Sequence, residues 1–179
     1  MGIKHWMTMG MLLAAPCALA GVERTGAATA IFNGKGPGGF KLEGKTDELT
    51  LKDDGKTVVF TVPLANLKTG IDLRDRHMRE KYLHVEQYPN IVLEVPWSEI
   101  KLPEAGQSVT QTLKGKLTLH GQTKEVPVEY TVKRTGDVYE AVGKMPLNLK
   151  DYGVEVPGYM GVTVKPDIDT TTTFNFKKT

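Results

Sequence analysis

Residues 114–134 read KGKLTLHGQTKEVPVEYTVKR, and their alternation decides the fold. Leu117 and Leu119 alternate with Lys116, Thr118 and His120. After His120-Gly121-Gln122-Thr123 the alternation resumes, with Val126, Val128, Tyr130 and Val132 set against Pro127, Glu129, Thr131 and Lys133. Successive side chains of a strand point to opposite faces, so a period of two gathers the apolar members on one side. Two such runs joined by a short glycine-containing link read as a hairpin. The stretch therefore predicts two antiparallel strands with one buried and one wetted face.

Moving outward, the same period recurs. Val58, Phe60 and Val62 share a face within Thr57 to Val62, as do Ile91, Leu93 and Val95 within Asn90 to Val95. Val138 to Leu149 places Tyr139, Ala141, Met145, Leu147 and Leu149 together, and Thr170 to Phe176 does so for Thr172, Phe174 and Phe176. Thr29 to Asn33 and Gly39 to Leu49 add two strands around the loop Gly34-Lys35-Gly36-Pro37-Gly38-Gly39. Turn residues punctuate the rest, at Asp53-Asp54-Gly55, Pro103 to Gly106, Thr135-Gly136-Asp137 and Val156-Pro157-Gly158. About eight strands with one apolar face must pack on a second sheet or close on themselves, and closure at about eight strands leaves room for one small ligand. The small residues Ala141 and Gly143 in mid-strand either leave space inside or mark a bend or close packing.

One segment breaks the alternation. Ile71 to Val85, IDLRDRHMREKYLHV, is rich in helix formers and charge. Ile71, Met78, Tyr82 and Val85 are spaced as one helical face, with Arg74, Arg76, Arg79, Glu80 and Lys81 free to stay solvated. Asp72 stands where an acid favours the helix dipole and caps. Tyr88-Pro89 returns the chain to a strand.

The ends and the charge narrow the function classes. Residues 1–20 read as a cleaved signal peptide, with Lys4 in the n-region, an apolar run from Met7 to Leu19 and an A-x-A site at Ala18-Leu19-Ala20. The apolar run is too short for a bilayer span of about 20 residues, and no other stretch is long enough. Residues 21–179 are then a single domain, expected in the periplasm or outside the cell. Cleavage takes Cys17, the single cysteine, and with it any disulfide or thiolate ligand. Removing Lys4 as well leaves 22 of the 23 Lys and Arg against 21 Asp and Glu, which gives no electrostatic reason for a nucleic-acid partner.

Catalytic and metal patterns are sparse. His77 and His84 lie seven apart, roughly 10 Å on a helix, too far for one metal unless His120 converges with them in space. Asp53-Asp54, Asp72/Asp75 and Asp167/Asp169 sit at turns or ends, where capping explains them. No G-x-S-x-G, P-loop or dinucleotide fingerprint occurs. Gly34 to Gly39 opens no helix and so lacks the helix N-terminus of a phosphate cradle. No cofactor or metal is expected.

Two motifs carry a family resemblance. Leu67-Lys68-Thr69-Gly70-Ile71-Asp72-Leu73-Arg74-Asp75-Arg76-His77-Met78, followed by Tyr82-Leu83 and Tyr88-Pro89-Asn90-Ile91, resembles the signature of YceI-like proteins. Gly115-Lys116-Leu117-Thr118-Leu119-His120-Gly121-Gln122-Thr123-Lys124 resembles their second signature. The N-terminus departs from the commoner pattern, with Ala28-Thr29-Ala30-Ile31-Phe32 in place of a His-Ser-x-(Val/Ile)-x-Phe motif. The resemblance implies an all-β, lipocalin-like eight-stranded antiparallel barrel that holds a polyisoprenoid or other long-chain amphiphile lengthwise in an apolar cavity.

Under that resemblance the inward faces become the candidate cavity wall: Val58, Phe60 and Val62 on one strand, Ile91 and Leu93 on the next, then Leu117 and Leu119. Tyr130, Ala141, Met145 and Phe174 complete it. The helical excursion supplies candidate lid and headgroup residues in Arg74, His77, Met78 and Tyr82. A chain burying roughly 500 Å² of apolar surface gains about 12 kcal/mol before ordering costs. Two further classes stay open on the residues alone. One is a hydrolase- or isomerase-type enzyme using His77 and Asp75, against which stands a structural hydrogen-bond cluster of Arg74, Asp75 and His77. The other is a ligand-free structural or stress-related barrel filled by its own side chains. The oligomeric state is not set, and a homodimer stays open.

Overall fold

The computed structural model describes residues 21–156, 158, 159 and 162–179. The expected signal peptide lies outside these residues. In chain order the elements are β1 (Val22–Lys35), β2 (Lys41–Thr46), β3 (Thr50–Asp53), β4 (Thr57–Pro63), α1 (Asp72–His77), β5 (Asn90–Pro96), β6 (Ser108–Leu119), β7 (Gln122–Thr135), β8 (Val138–Asn148), the two-residue β9 (Gly158–Tyr159) and β10 (Val162–Thr163), and β11 (Asp167–Lys178). Nine strands form one antiparallel sheet in the order β2-β1-β11-β8-β7-β6-β5-β4-β3, strongly curled into a half-barrel. The mostly-β, antiparallel fold with one short helical excursion is the expected one.

The main sheet has one strand more than the eight expected, for a local reason. The expected strand Gly39 to Leu49 ends at Thr46, and after residues 47–49 the chain forms an additional strand, so β2 pairs with β1 and β3 pairs with β4. The edges of the ladder are therefore β2 and β3, consecutive in the chain and three residues apart. Such a short link forces the sheet to curl until its two edges approach. Thr29 Oγ1 donates to Asp47 Oδ1 at 2.8 Å across this junction, and Leu49 is buried beneath it.

The hairpin at residues 114–134 is tighter than its sequence suggests. Leu119 pairs with Gln122, leaving His120-Gly121 as a two-residue turn with φ of 50° and 73°. Two positive φ values match the right-handed twist of the flanking strands. Pro127 is accommodated because β8 pairs with β7 only from Glu129 onward, so one flank of β7 is unpartnered there. β1 begins earlier than expected. Its polar start, Val22 to Thr25, carries no alternation, yet it pairs with Asn175 to Lys178 of β11 through a bulge at Gly26 (φ 68°).

The concave face holds the core. Leu64 and Leu117 are fully buried, and Leu49, Val58, Ala28 and Ala30 nearly so. The helical excursion runs from Asp72 and loosens at its end. Leu83 N–H bonds to Met78 C=O across five residues, a π-helical turn over Met78–Tyr82. Asp72 is the first helical residue and exposed, and Ile71 takes the cap position with no side-chain cap. Ile71 is 54% exposed rather than inward; Met78, Tyr82 and Val85 pack on the core as their spacing implies. No helix among the described residues is long and apolar enough to cross a membrane.

Candidate functional site

The curled sheet encloses two adjoining cavities. The first is about 130 Å³ and the second about 100 Å³. One water needs roughly 10–15 Å³, so each chamber takes a ligand of many atoms. The first chamber is walled by residues of β1, β3, β4, β5, β6, β7, β8 and β11, and Trp97, Ile100 and Leu102 of the connection after β5 line it too. The second lies under the helical excursion, between Met78, Tyr82 and Leu83 on one side and Leu147, Leu149 and Ile168 on the other.

Ten of the expected wall residues border the first chamber. Val58, Phe60, Val62, Ile91 and Leu93 form one side. Leu117, Tyr130, Ala141, Met145 and Phe174 form the other. Leu119 borders the second chamber, with Met78 and Tyr82. Aromatic contacts stiffen this wall: Phe60 meets Phe174 edge-on at 5.4 Å between centroids, and Tyr139 stacks on Phe176 at 4.9 Å.

Several wall residues escaped the sequence reading. Phe32 and Leu51 come from β1 and β3, Leu49 from the link before β3, and Trp97, Ile100 and Leu102 from the connection after β5. The connection has no period, so alternation was silent about it. Gly143 was noticed only as small. An added Cβ there would meet nothing within 4 Å, so its missing side chain is open chamber, and its cross-strand neighbours are Tyr130 and Thr172. Of the two readings of that glycine, space rather than a tight contact is the one found.

Two of the polar side chains bordering the first chamber are committed elsewhere, while Thr172 and Lys144 also border it. Thr170 Oγ1 donates to Met145 C=O at 2.7 Å. The Tyr130 hydroxyl accepts the Lys101 N–H at 2.7 Å and donates back to Lys101 C=O, which fixes the connection carrying Ile100 and Leu102. The chamber is thus an apolar slot suited to an aliphatic occupant rather than to bond-making chemistry.

Arg74 and His77 border neither chamber. The Arg74 guanidinium binds Thr69 through Nε to Oγ1 and Nη2 to the backbone C=O, each at 2.6 Å. Buried Asp75 accepts both the backbone N–H and the hydroxyl of the same Thr69. This is a positioning cluster in which Arg74 and Asp75 converge on Thr69 as their shared partner. It occupies the carboxylate that a catalytic reading would need.

The histidines divide differently from their spacing. His84 and His120 come together with ring centroids 5.4 Å apart, and Tyr88 lies 4.5 Å from His120. His120 Nδ1 lies 3.2 Å from Tyr152 C=O and so donates to it, while its Nε2 is buried without a partner. Among the described residues no three His, Cys, Asp or Glu side chains gather as a metal set. Both His84 (φ 45°) and His120 (φ 50°) adopt left-handed backbone, which marks this corner as tightly specified.

Comparison with known proteins agrees with this architecture. The profile of the YceI-like domain matches residues 24–176. Proteins named only as UPF0312 protein, from Pseudomonas syringae pv. tomato and Pseudomonas savastanoi pv. phaseolicola, are 31% identical over 124 residues. That match takes in 65% of this chain and 62% of the relative, so the chain spans under two thirds of those relatives' length. Among solved structures, a polyisoprenoid binding domain from Saccharophagus degradans superposes with a TM-score of 0.72 at 14% identity, covering 90% of this chain and 99% of that one. Burkholderia cenocepacia BcnA superposes at 0.63 with 16% identity, covering 82% and 95%. At these identities the likeness is one of fold.

Proposed function

Because the chain belongs to the YceI-like domain family, we propose that it is an exported carrier that holds a polyisoprenoid or another long-chain amphiphile in its apolar chambers, without catalysing a reaction on it. The observation that carries this reading is the first chamber itself, an interior lined by apolar side chains from eight strands and left unfilled at Gly143. A folded core is normally packed to the density of an organic crystal, so a void of this size lined by Val, Leu, Ile and Phe implies an occupant. The related fold of a polyisoprenoid binding domain supports the class of ligand. Export rests on the leader-like residues 1–20 and places the carrier in the periplasm or outside the cell.

Mass spectrometry of an organic extract of the purified protein, paired with titration of polyprenyl alcohols, tests the reading. Co-purifying prenyl or acyl lipid, or saturable binding, is the expected result. A protein that is empty and binds no such chain overturns it. Fractionation of the producing cells tests export: mature protein starting at Gly21 outside the cytoplasm is expected, and an uncleaved cytoplasmic chain refutes it.

A further inference from the structure

The two chambers exchange walls at one level of the sheet. On β4, Val62 faces the first chamber, and Leu64, just past the strand's end, faces the second. The change falls between Leu117 and Leu119 on β6, and between Met145 and Leu147 on β8. Each pair is two residues apart, about 7 Å along a strand, so the boundary is a single layer of side chains. Phe32 of β1 and Ile91 of β5 border both chambers and therefore form that layer.

The two members of the layer differ in freedom. Ile91 is β-branched and 8% exposed, hence stiff. Phe32 is only half-buried, and its cross-strand neighbours are small on both flanks, Gly44 on β2 and Thr170 on β11. Leu67 packs over Gly44, its Cδ1 3.4 Å from where a Cβ would stand, so the ring is flanked by one long flexible side chain and by Thr170.

We propose that the Phe32 ring, backed by Ile91, is the stop that sets the length of apolar tail the protein accepts. A prenyl or alkyl tail that fills the first chamber ends against the ring, and a longer tail reaches the second chamber only by displacing it. The inference rests on the carrier reading and adds to it a specificity-determining residue.

The test is a titration of prenyl alcohols of increasing length (geraniol, farnesol, geranylgeraniol, solanesol) into the wild type and into Phe32→Ala, Phe32→Leu and Phe32→Trp. A thermal melt of each variant confirms folding, and the Leu and Trp variants keep most of the volume if the Ala variant does not fold. Each newly buried methylene is worth about fourfold in affinity. The wild-type affinity is expected to climb with length and then level off. In Phe32→Ala, or Phe32→Leu, the levelling moves to a longer alcohol, with at least about tenfold tighter binding of the first alcohol beyond the wild-type limit. Phe32→Trp moves it to a shorter one. An unchanged limit in the folded variants overturns the stop while leaving the carrier reading standing. A wild type that binds none of the alcohols overturns the carrier reading, and the stop with it.

Discussion

Asp75 holds Thr69 from six residues away: its Oδ1 accepts the Thr69 backbone N–H at 2.7 Å and the Thr69 hydroxyl as well, while Asp75 itself is 5% exposed. The helical excursion is thereby tied to the loop that leads into it. Replacing Asp75 with Ala removes a buried charged acceptor from two donors. The expected loss is about 2–4 kcal/mol, since hydrogen bonds to charged groups contribute about 1.5–3 kcal/mol each and are not additive. Chemical denaturation reads it directly. A loss under about 0.5 kcal/mol would show that the tie does not organise the segment.

Tyr130→Phe cuts the tether between β7 and the connection at Lys101. Stability is expected to fall by about 1 kcal/mol. The larger effect is on exchange: Ile100 and Leu102 line the first chamber and would be freed, so ligand release should quicken several-fold. Stopped-flow displacement measures this; unchanged release would separate the tether from ligand exchange.

Gly143→Leu fills the first chamber. The backbone there is ordinary extended chain and an added Cβ meets nothing within 4 Å, so the fold should accept the side chain. A glycine in a strand interior costs roughly 0.5–1 kcal/mol, so the variant is expected to melt at or above the wild-type temperature while losing lipid binding. Gly143→Ala should keep most of both. Retained binding in the Leu variant would place the ligand elsewhere.

Gly121 predicts the opposite. Its φ is 73°, and an added Cβ would come within 2.7 Å of Tyr88 Cε1. Gly121→Ala should therefore cost about 2 kcal/mol or more, combining left-handed strain with displacement of the Tyr88 ring. A melt indistinguishable from wild type would mean that the turn re-forms in another geometry.

The turn before β4 carries a pH dependence. Asp54 accepts the backbone N–H groups of Thr57 at 2.7 Å and Lys56 at 2.9 Å, and these bonds, Thr57 first, hold its carboxyl below the usual aspartate value of 3.8. A carboxyl lowered by folding stabilises above the unfolded value, and that contribution disappears as pH falls through the folded value. The stability gap between wild type and Asp54→Ala is therefore expected to be constant near neutrality and to narrow below about pH 4. Paired denaturation curves across that range check it; a gap that widens in acid reverses the sign.

The fold was legible because alternation is a strong local signal wherever one face is buried. It named most inward residues of β4 to β8 and β11, missing Leu113, Ile168 and Thr170, which lie before or at the start of the runs where the alternation is clear. It could not say how far along the interior each lies, so Leu119 and Leu117 looked equivalent although they face different chambers. The helical excursion was legible as helix but not in its orientation. Ile71 fits the apolar spacing, yet it precedes the first turn and faces solvent. The roles of Arg74 and Asp75 depend on Thr69, which precedes the helix and which no helical period would select. Phe32 was hidden because β1 is walled by glycines and small residues, where alternation is faint.

The junction at residues 47–49 makes the molecule a split ring rather than a hoop. In a fully hydrogen-bonded barrel, strand number and stagger fix the diameter. Here the two ends of the ladder are β2 and β3, fastened by a short piece of covalent chain with Leu49 packed under it. The seam between the two edge strands is therefore held by covalent chain and side chains, Thr29 to Asp47 among them, and not by a ladder of backbone hydrogen bonds.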